Sequence, residues 1–595
     1  MTKLPFTIDF ETEAIERRPH YPPKPVGVSI WHPESETPLY YSWGHPSGNN
    51  STFEEARTKL IQAWHHEMLF HNGKFDVDVA MSHFELPAPR DPLAVHDTLF
   101  LNYLHDPHAE TLSLKPSAER ILGIAPTEKD DLDRWLVAHG FKPGRDICKA
   151  PGDLVEPYAN GDVIRTRALL VHLLDAINKA GMLPAYRREQ KLVPILIANE
   201  TDGVRIDLNR LEQDTEKFEK VMHNLNIHIQ TKIGACNLDS SAELAKALLS
   251  SGYCREDDFL RTPTGKLSTA KASMNQAVKD PVLRELLGYR GHLKTLLTTF
   301  MRPWLELQTG GTIHPEFNQV RGDVYGTRTG RLSSSNPNLQ NVPTEFKSGT
   351  PDGLPPLPFM RQYILPDEGD VLVSLDFASQ EFRIAAHFAE GRAAEIYRND
   401  PRADFHAEVK KLILADAGLD LDRKLVKITG FSLLYGSGIN ALAELLQVDR
   451  ATASQIRTHY FQALPGMKQL MDDVTARGRQ GLPVKTWGGR LIYAEPPKLV
   501  KGQHWSFEYK LVNYLIQGSA ADQTKEAITI AGYKTPNRRF LATVHDENVY
   551  SINPLHLAEE IAEVREAMEN QPGWDVPWKT TVEVGPNWHD MKEYQ

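Results

Sequence analysis

The sequence predicts a multidomain chain, α/β in its first third and α+β beyond it, on three observations. Its 595 residues exceed what a single hydrophobic core organises, so roughly two to four domains are expected. Two apolar strands, Phe6–Thr12 and Val371–Asp376, stand far apart in the chain and each delivers carboxylates. Long helical patterns fill the middle, above all Arg423 to Gly436, where Arg423, Lys427, Phe431 and Tyr435 recur every fourth residue.

On a helix that stripe is roughly 18 Å long. Two cations followed by two aromatic rings suit a triphosphate and a flat base. An amphipathic helix with a solvated basic end suits the same spacing, so other parts of the chain must decide.

Apolar residues make up 41% of the chain and charged residues 24%, the proportions of a globular protein. Cys148, Cys236 and Cys254 have no paired short spacing. That argues against a disulfide framework or a cysteine zinc site and fits a reducing, cytoplasmic compartment. No apolar run reaches bilayer-spanning length, so no membrane partner is expected, and the N-terminus lacks a signal-peptide core. A net charge of −11 is unlike the basic footprint of most nucleic-acid binders. Net charge is not the field inside a groove, however, and a DNA partner stays open.

In the first third, Phe6–Thr12 reads as a strand with Asp9 and Glu11 on one face. Carboxylates side by side repel unless a cation lies between them. A proline-rich loop from Arg18 to Pro25 precedes strand-like Val26–Trp31, and Thr52 with Glu55 forms a capping box opening a helix. His71 to Asp76 brings another carboxylate, and Tyr158 and Asp162 lie one helical turn apart. In this order the pieces resemble the Asp-Glu-Asp-Asp family of 3′→5′ exonucleases, in the subgroup whose third motif carries tyrosine, over residues 1–185. The resemblance implies an RNase H-like domain in which Asp9, Glu11, Asp76 and Asp162 hold two divalent cations and Tyr158 orients the attacking water. His96-Asp97-Thr98 matches an element of that family and equally a capped helix start.

Beyond it, Tyr186–Glu200, 208–230 and Ser240–Leu249 read as helices, and Arg290 and Lys294 sit on another. Such helices suit a lever tracking a duplex through its phosphates, or a plain helical connector. Lys347 to Pro358, rich in glycine and proline, reads as a surface excursion.

Thr327-Arg328-Thr329-Gly330-Arg331-Leu332-Ser333-Ser334 is too patterned for a linker. Here the chain resembles family A DNA polymerases, those related to bacterial DNA polymerase I and its Klenow-like fragments. Asp376 to Arg383 matches their first catalytic motif, Asp-Tyr-Ser-Gln-Ile-Glu-Leu-Arg. Asp376, Glu381 and Arg383 are kept, while the four residues between Asp376 and Glu381 differ and Ser379 replaces the usual glutamine. Phe540 to Tyr550 reads as a hairpin with Asp546 at its turn, matching the family's His-Asp-Glu motif.

The resemblance implies a right-hand polymerase over 186–595, with thumb near 207–310, palm at 311–390 and 511–595, and fingers at 391–510. It implies that Asp376 and Asp546 hold two Mg²⁺ ions, replaceable by Mn²⁺, with Glu547 assisting. Arg423, Lys427, Phe431, Tyr435 and His406 would bind the nucleotide, and Lys427 would also protonate the leaving pyrophosphate. Glu381 would block a ribose 2′-hydroxyl. Arg331, Asn513, Gln517 and His545 would contact primer–template DNA, the amides through minor-groove acceptors that all correct pairs share. Thr486 to Arg490 and Gly585 to Trp588 would serve packing, and Gly430 stands where asparagine is usual, implying either close approach of a base or a looser helix.

The expected activity is therefore dNTP-dependent primer extension with proofreading, by a monomer working beside helicase and single-strand-binding proteins. By analogy, the divergent first motif and the lack of room before Asp9 for a 5′-nuclease domain point to a bacteriophage source. Three rivals stand against it: a nuclease whose second part is only a DNA platform, a single-subunit RNA polymerase, and a non-catalytic replication-assembly protein.

Overall fold

The structure, a computed structural model, describes residues 4–321, 326–345, 349–500 and 502–594. Lys347, where the expected surface excursion starts, lies outside the described residues.

The first third is built on a five-stranded sheet. Its strands are β1 (Phe6–Thr12), β2 (Pro25–Trp31), β3 (Leu39–Ser42), β4 (Met68–Phe70) and β5 (Val95–Asp97), in the order β3-β2-β1-β4-β5. β1, β2 and β3 are antiparallel neighbours, whereas β4 runs parallel to β1 and β5 parallel to β4, the RNase H-like arrangement. A central strand of such a sheet is covered on both faces, which is why Phe6, Thr7, Ile8, Phe10 and Glu11 are all buried. The capping box at Thr52 starts α1 (Phe53–Trp64): Thr52 Oγ1 accepts from the Glu55 amide and Glu55 Oε2 from the Thr52 amide, at 3.3 and 2.8 Å. α2 (Gly73–Phe84), α3 (Thr98–His105), α4 (Leu114–Leu122), the helix Thr127–Ala138 and the long helix Gly152–Lys179 pack around this sheet.

Helix Leu183–Asp202 joins the two parts, and the boundary expected at residue 185 falls inside it. Its Tyr186, Val193 and Ile197 pack in the core of the first part, while Leu192, Ile195 and Leu196 pack in the core of the second. Helices Leu208–Ile233 and Pro281–Thr295 pack through Leu225, Ile229, Leu286 and Leu293. Arg290 and Lys294 do not stand free for a phosphate backbone, because Asp239 Oδ1 takes both, at 2.7 and 3.0 Å.

The second sheet is antiparallel throughout. Val371–Phe377 lies at its centre between Glu547–Ile552 and Thr580–Gly585, with Arg538–Val544 and Lys592–Glu593 outside. Val371–Phe377 is apolar because both its faces are covered; Leu372, Val373, Leu375 and Phe377 are buried.

Candidate active sites

Two carboxylates meet where the central strand ends. Asp376 is the penultimate residue of Val371–Phe377, in register with Glu547 on one side and Thr581 on the other. The hairpin between Val544 and Glu547 turns through His545 and Asp546, and His545 takes the left-handed conformation (φ 60°) that a two-residue turn demands. The Phe377 amide donates to the Asp546 carbonyl at 3.2 Å, which locks the turn to the strand end and sets the two aspartates side by side. Burial, and next the charge of Asp546, pushes the Asp376 carboxyl up to about 8. Asp546 is also raised, chiefly by burial. One oxygen of Asp376, Oδ1, is buried with no hydrogen-bond partner among the described residues. A pair of crowded, under-bonded carboxylates fits a hard divalent cation by oxygen ligation.

Glu547 points elsewhere. Its Oε1 accepts from Ser374 Oγ at 2.7 Å and Trp588 Nε1 at 2.6 Å, and Arg361 Nη1 reaches its Oε2 at 3.1 Å. Those donors make it a brace for the sheet beside Asp376 rather than a free ligand.

The aspartates open into a cleft of about 1260 Å³, across which stand Arg423, Lys427, Phe431 and Tyr435. Helix Arg423–Leu434 starts at Asp422, whose carboxylate accepts from the Lys424 amide at 2.7 Å, and Tyr435 is its C-terminal cap rather than part of its interior. Asp404 caps the neighbouring helix Phe405–Ala417, and its second oxygen accepts from Arg423 Nε at 2.6 Å. Lys427 has no carboxylate partner among the described residues and is exposed to the cleft. Phe431 and Tyr435 lie parallel, with ring centroids 6.2 Å apart. His406 is buried edge-on to Phe382, and burial drops its imidazole to about 4.

Glu381, in the first turn of helix Gln380–Ala389, is held from two sides. Tyr435 Oη donates to its Oε2 at 2.9 Å and Arg331 Nη2 to its Oε1 at 2.7 Å. The turn before that helix passes through Ser379 at φ 56°, and Gln380 is buried, donating to Gln523 Oε1 and Thr524 Oγ1 at 3.0 and 3.2 Å. Asn513 and Gln517 lie half-buried on helix Leu511–Ala531. The His545 amide donates to Gln340 Oε1 at 3.3 Å.

Gly430 is explained by neither alternative drawn from the sequence. A Cβ there would lie 2.8 Å from Tyr460 Oη and 3.0 Å from the Phe382 ring, so glycine is set by close packing inside the protein.

The first part carries a second acidic site. Carboxylate oxygens of Asp9, Glu11 and Asp162 lie within 4.8 Å of one another, a donor set suited to a divalent cation. Asp76 stands beside this trio with Oδ1 accepting from the Phe10 amide at 3.2 Å. Burial, then Asp162, pushes Asp9 up to about 8, and burial then Asp9 raises Glu11. Asp97 caps α3 and also accepts from the Asn72 and Gly73 amides at 2.9 and 2.7 Å, fixing the start of α2 that carries Asp76. Helix Gly152–Lys179 supplies Tyr158 and Asp162.

A family model described as DNA polymerase family A matches residues 208–590, more than half of the chain. The chain belongs to DNA polymerase family A. It is 31% identical over 426 residues to "DNA polymerase I, thermostable" of Thermus filiformis, a match covering 68% of this chain and 48% of that relative. It is 27% identical over 590 residues to DNA polymerase I of Chloroflexus aurantiacus, covering 95% and 59%. The chain thus spans about half the length of most of the curated relatives it matches. Its fold superposes on the "POL domain of Pol1 from M. smegmatis complex with DNA primer-template and dNTP" with a TM-score of 0.76. That match has 22% identity and covers 98% of this chain and 96% of that one.

Sequence reasoning about this family A chain missed a residue that the fold brings into the acidic site of its first part. Lys115 reaches Asp162 from α4 with no motif around it. Arg490, expected to serve packing, holds its neighbours as a buried polar hub: it donates to Asp522 Oδ1, Thr329 O and Gly518 O, each at 2.7 Å, and to Tyr103 Oη at 3.0 Å. A Gly-Gly-Arg turn facing a helix with a lone aspartate was the available signal.

Proposed function

We propose that the chain extends a primer 3′ end on a DNA template with dNTPs, and that its first part removes mispaired 3′ ends. The observation carrying this is the juxtaposition of Asp376 and Asp546 across one cleft from Arg423 and Lys427. Residues 1–185 would form the exonuclease and 186–595 the polymerase, with thumb 207–310, palm 311–390 and 511–595, and fingers 391–510. Primer–template DNA and dNTPs are the substrates, and the protein works as a monomer with helicase and single-strand-binding proteins in replication. A phage source fits the divergent first motif.

Asp376 and Asp546 would hold two Mg²⁺ ions, for which Mn²⁺ can substitute; when bound these acidify the primer 3′-hydroxyl and offset charge on the departing pyrophosphate. Arg423 and Lys427 bind the triphosphate from the opposite side, and the Lys427 ammonium gives a proton to pyrophosphate as it leaves. Phe431 and Tyr435 stack on the nascent base pair while His406 backs the triphosphate. Glu381 occupies the space of a 2′-hydroxyl. Arg331, Asn513 and Gln517 contact the minor groove, and His545 supports the primer end. Glu547 keeps the Asp546 hairpin registered on Asp376.

In the first part Asp9, Glu11, Asp76 and Asp162 would take divalent cations, two by the family resemblance, and Tyr158 would orient water. Water oxygen bonds to phosphorus, the P–O3′ bond to the preceding nucleotide breaks, and its electron pair leaves on O3′. That oxygen is protonated, and the proton of the water passes to solvent.

Extension of a primed template by the purified chain with Mg²⁺ and dNTPs tests the main reading. No incorporation, with Asp546→Ala indistinguishable from the parent, would leave a nuclease with a DNA platform. Preference for rNTPs would favour an RNA polymerase.

A further inference from the structure

Lys115 places an ammonium inside the acidic site of the first part. Its Nζ lies 2.5 Å from each carboxylate oxygen of Asp162 and 3.8 Å from the centre of the Tyr158 ring. The side chain is only 13% exposed and comes from α4, whereas Tyr158 and Asp162 stand on helix Gly152–Lys179. A lysine serving only to solubilise α4 would send its strongly hydrated head to water. Here the head is turned inward onto the residue pair that faces the substrate phosphate in the reading above.

One ammonium does not neutralise the cluster. Asp9, Glu11 and Asp162 bring three carboxylates within 4.8 Å, with Asp76 beside them, so the site still attracts a divalent cation. Ammonium and cation then compete for one carboxylate. Displaced from Asp162, a lysine head on a four-carbon stem stays within the same pocket, near the Glu128 carboxylate and the phosphate being cut.

Resting on the reading of this site as a phosphodiester hydrolase, we propose that Lys115 is a catalytic residue of it. Lys115 holds Asp162 until a cation takes that carboxylate, then sets its ammonium on a non-bridging oxygen of the scissile phosphate. There it stabilises the charge that grows on that oxygen as water adds. The bonds made and broken are those of ordinary hydrolysis, and Lys115 neither gains nor loses a proton.

The test uses the full chain carrying Asp546→Asn, with Lys115→Met and Lys115→Arg added. Binding of Mn²⁺ is followed by electron paramagnetic resonance, and the same chain with Asp9→Ala and Glu11→Ala identifies the signal of the first part. Without the competing ammonium, Lys115→Met should bind that Mn²⁺ about tenfold more tightly. In single-turnover hydrolysis of a single-stranded 3′ end, Lys115→Met at saturating Mn²⁺ should be slower by about 100-fold, and Lys115→Arg should recover part of the loss. With sulfur in place of one non-bridging oxygen, one diastereomer should lose less rate in Lys115→Met than in the parent, because the contact it disrupts is already gone. Slow hydrolysis with unchanged Mn²⁺ affinity and unchanged sulfur effects would assign Lys115 a structural role and overturn the proposal. A parent chain that hydrolyses no 3′ end overturns the hydrolase reading and the phosphate contact together, and the Mn²⁺ titration then decides the competition at Asp162 by itself.

Discussion

The Tyr435 hydroxyl donates to Glu381 Oε2 at 2.9 Å while Arg331 holds the other oxygen, so the Glu381 carboxylate is fixed from two sides at the mouth of the cleft. A carboxylate so fixed cannot swing away from a sugar. Glu381→Ala should therefore lower the preference for dNTP over rNTP by roughly 100-fold, and Tyr435→Phe, which frees only one oxygen, by roughly tenfold. Steady-state incorporation of matched dNTP and rNTP pairs reads both. Equal discrimination in parent and Glu381→Ala would remove Glu381 from sugar selection.

Two acidic sites on two separate sheets predict separable activities. Asp546→Asn should depress primer extension by roughly three orders of magnitude and leave 3′-end degradation within about twofold. Asp9→Ala with Glu11→Ala should do the reverse. Extension and degradation assays on one labelled primer check both. Loss of both activities in either variant would show that the parts work only together.

His406 predicts a pH dependence of stability. Its imidazole is buried, and burial lowers it to about 4; Asp404 opposes the shift while Arg423 and Lys427 add to it. The unfolded chain binds that proton near pH 6.5 and the folded chain only near 4. Stability is thus full above about 6.5 and falls as the pH drops toward 4. Between pH 7 and pH 5 the parent should lose roughly 1–2 °C more in Tm than His406→Gln. Thermal melts of both at the two pH values read this difference, in which other histidines cancel.

Much of the fold was legible because its signals are local. Strand alternation around Asp9, the capping box at Thr52, the strand ending in Asp376 and the hairpin around Asp546 each lie within a dozen residues. What stayed hidden is tertiary. Asp404 takes Arg423, Asp239 takes Arg290 and Lys294, and Lys115 takes Asp162, yet none of these pairs falls at helical spacing. Tyr103 and Arg490 lie 387 residues apart. Cations that read as unpartnered in the sequence are therefore held by carboxylates in the fold, and net charge gave no warning of which ones.

Gly430 predicts a packing cycle. Alanine would favour the helix by about 1 kcal/mol, but its methyl would meet two buried rings, and overpacking costs about 1–3 kcal/mol. The clash should win, so Gly430→Ala should destabilise by about 1 kcal/mol. The nearest atom, Tyr460 Oη, is buried with no hydrogen-bond partner among the described residues, so Tyr460→Phe should cost little by itself. Combined with Gly430→Ala it should restore part of the loss, the rest coming from the Phe382 ring at 3.0 Å. Denaturant melts of the four chains give the coupling, and additive effects would place the clash elsewhere.

Arg490 and Tyr103 predict how the two parts hold together. Burial alone would raise the Asp522 carboxyl, yet Arg490 and Arg188 keep it below its ordinary range, so the aspartate depends on its cations. Arg490→Met would leave that carboxylate to the Thr486 hydroxyl, at 2.6 Å, and to Arg188, 3.4 Å away, and strip a donor from Thr329 O and Gly518 O. Breaking a buried pair from one side costs about 3–5 kcal/mol, whereas Tyr103→Phe removes one hydroxyl and should cost about 1 kcal/mol. Lysine cannot replace the fork of a guanidinium, so Arg490→Lys should recover little. Thr329 lies two residues before Arg331, which is proposed to contact primer–template, so the two Arg490 variants should also raise KM for primer–template more than they lower kcat. Melting curves and primer-titration kinetics read the two effects. If Arg490→Met is no more damaging than Tyr103→Phe, the hub contributes no more than the Tyr103 hydroxyl with its two hydrogen bonds, to Arg328 O and from Arg490.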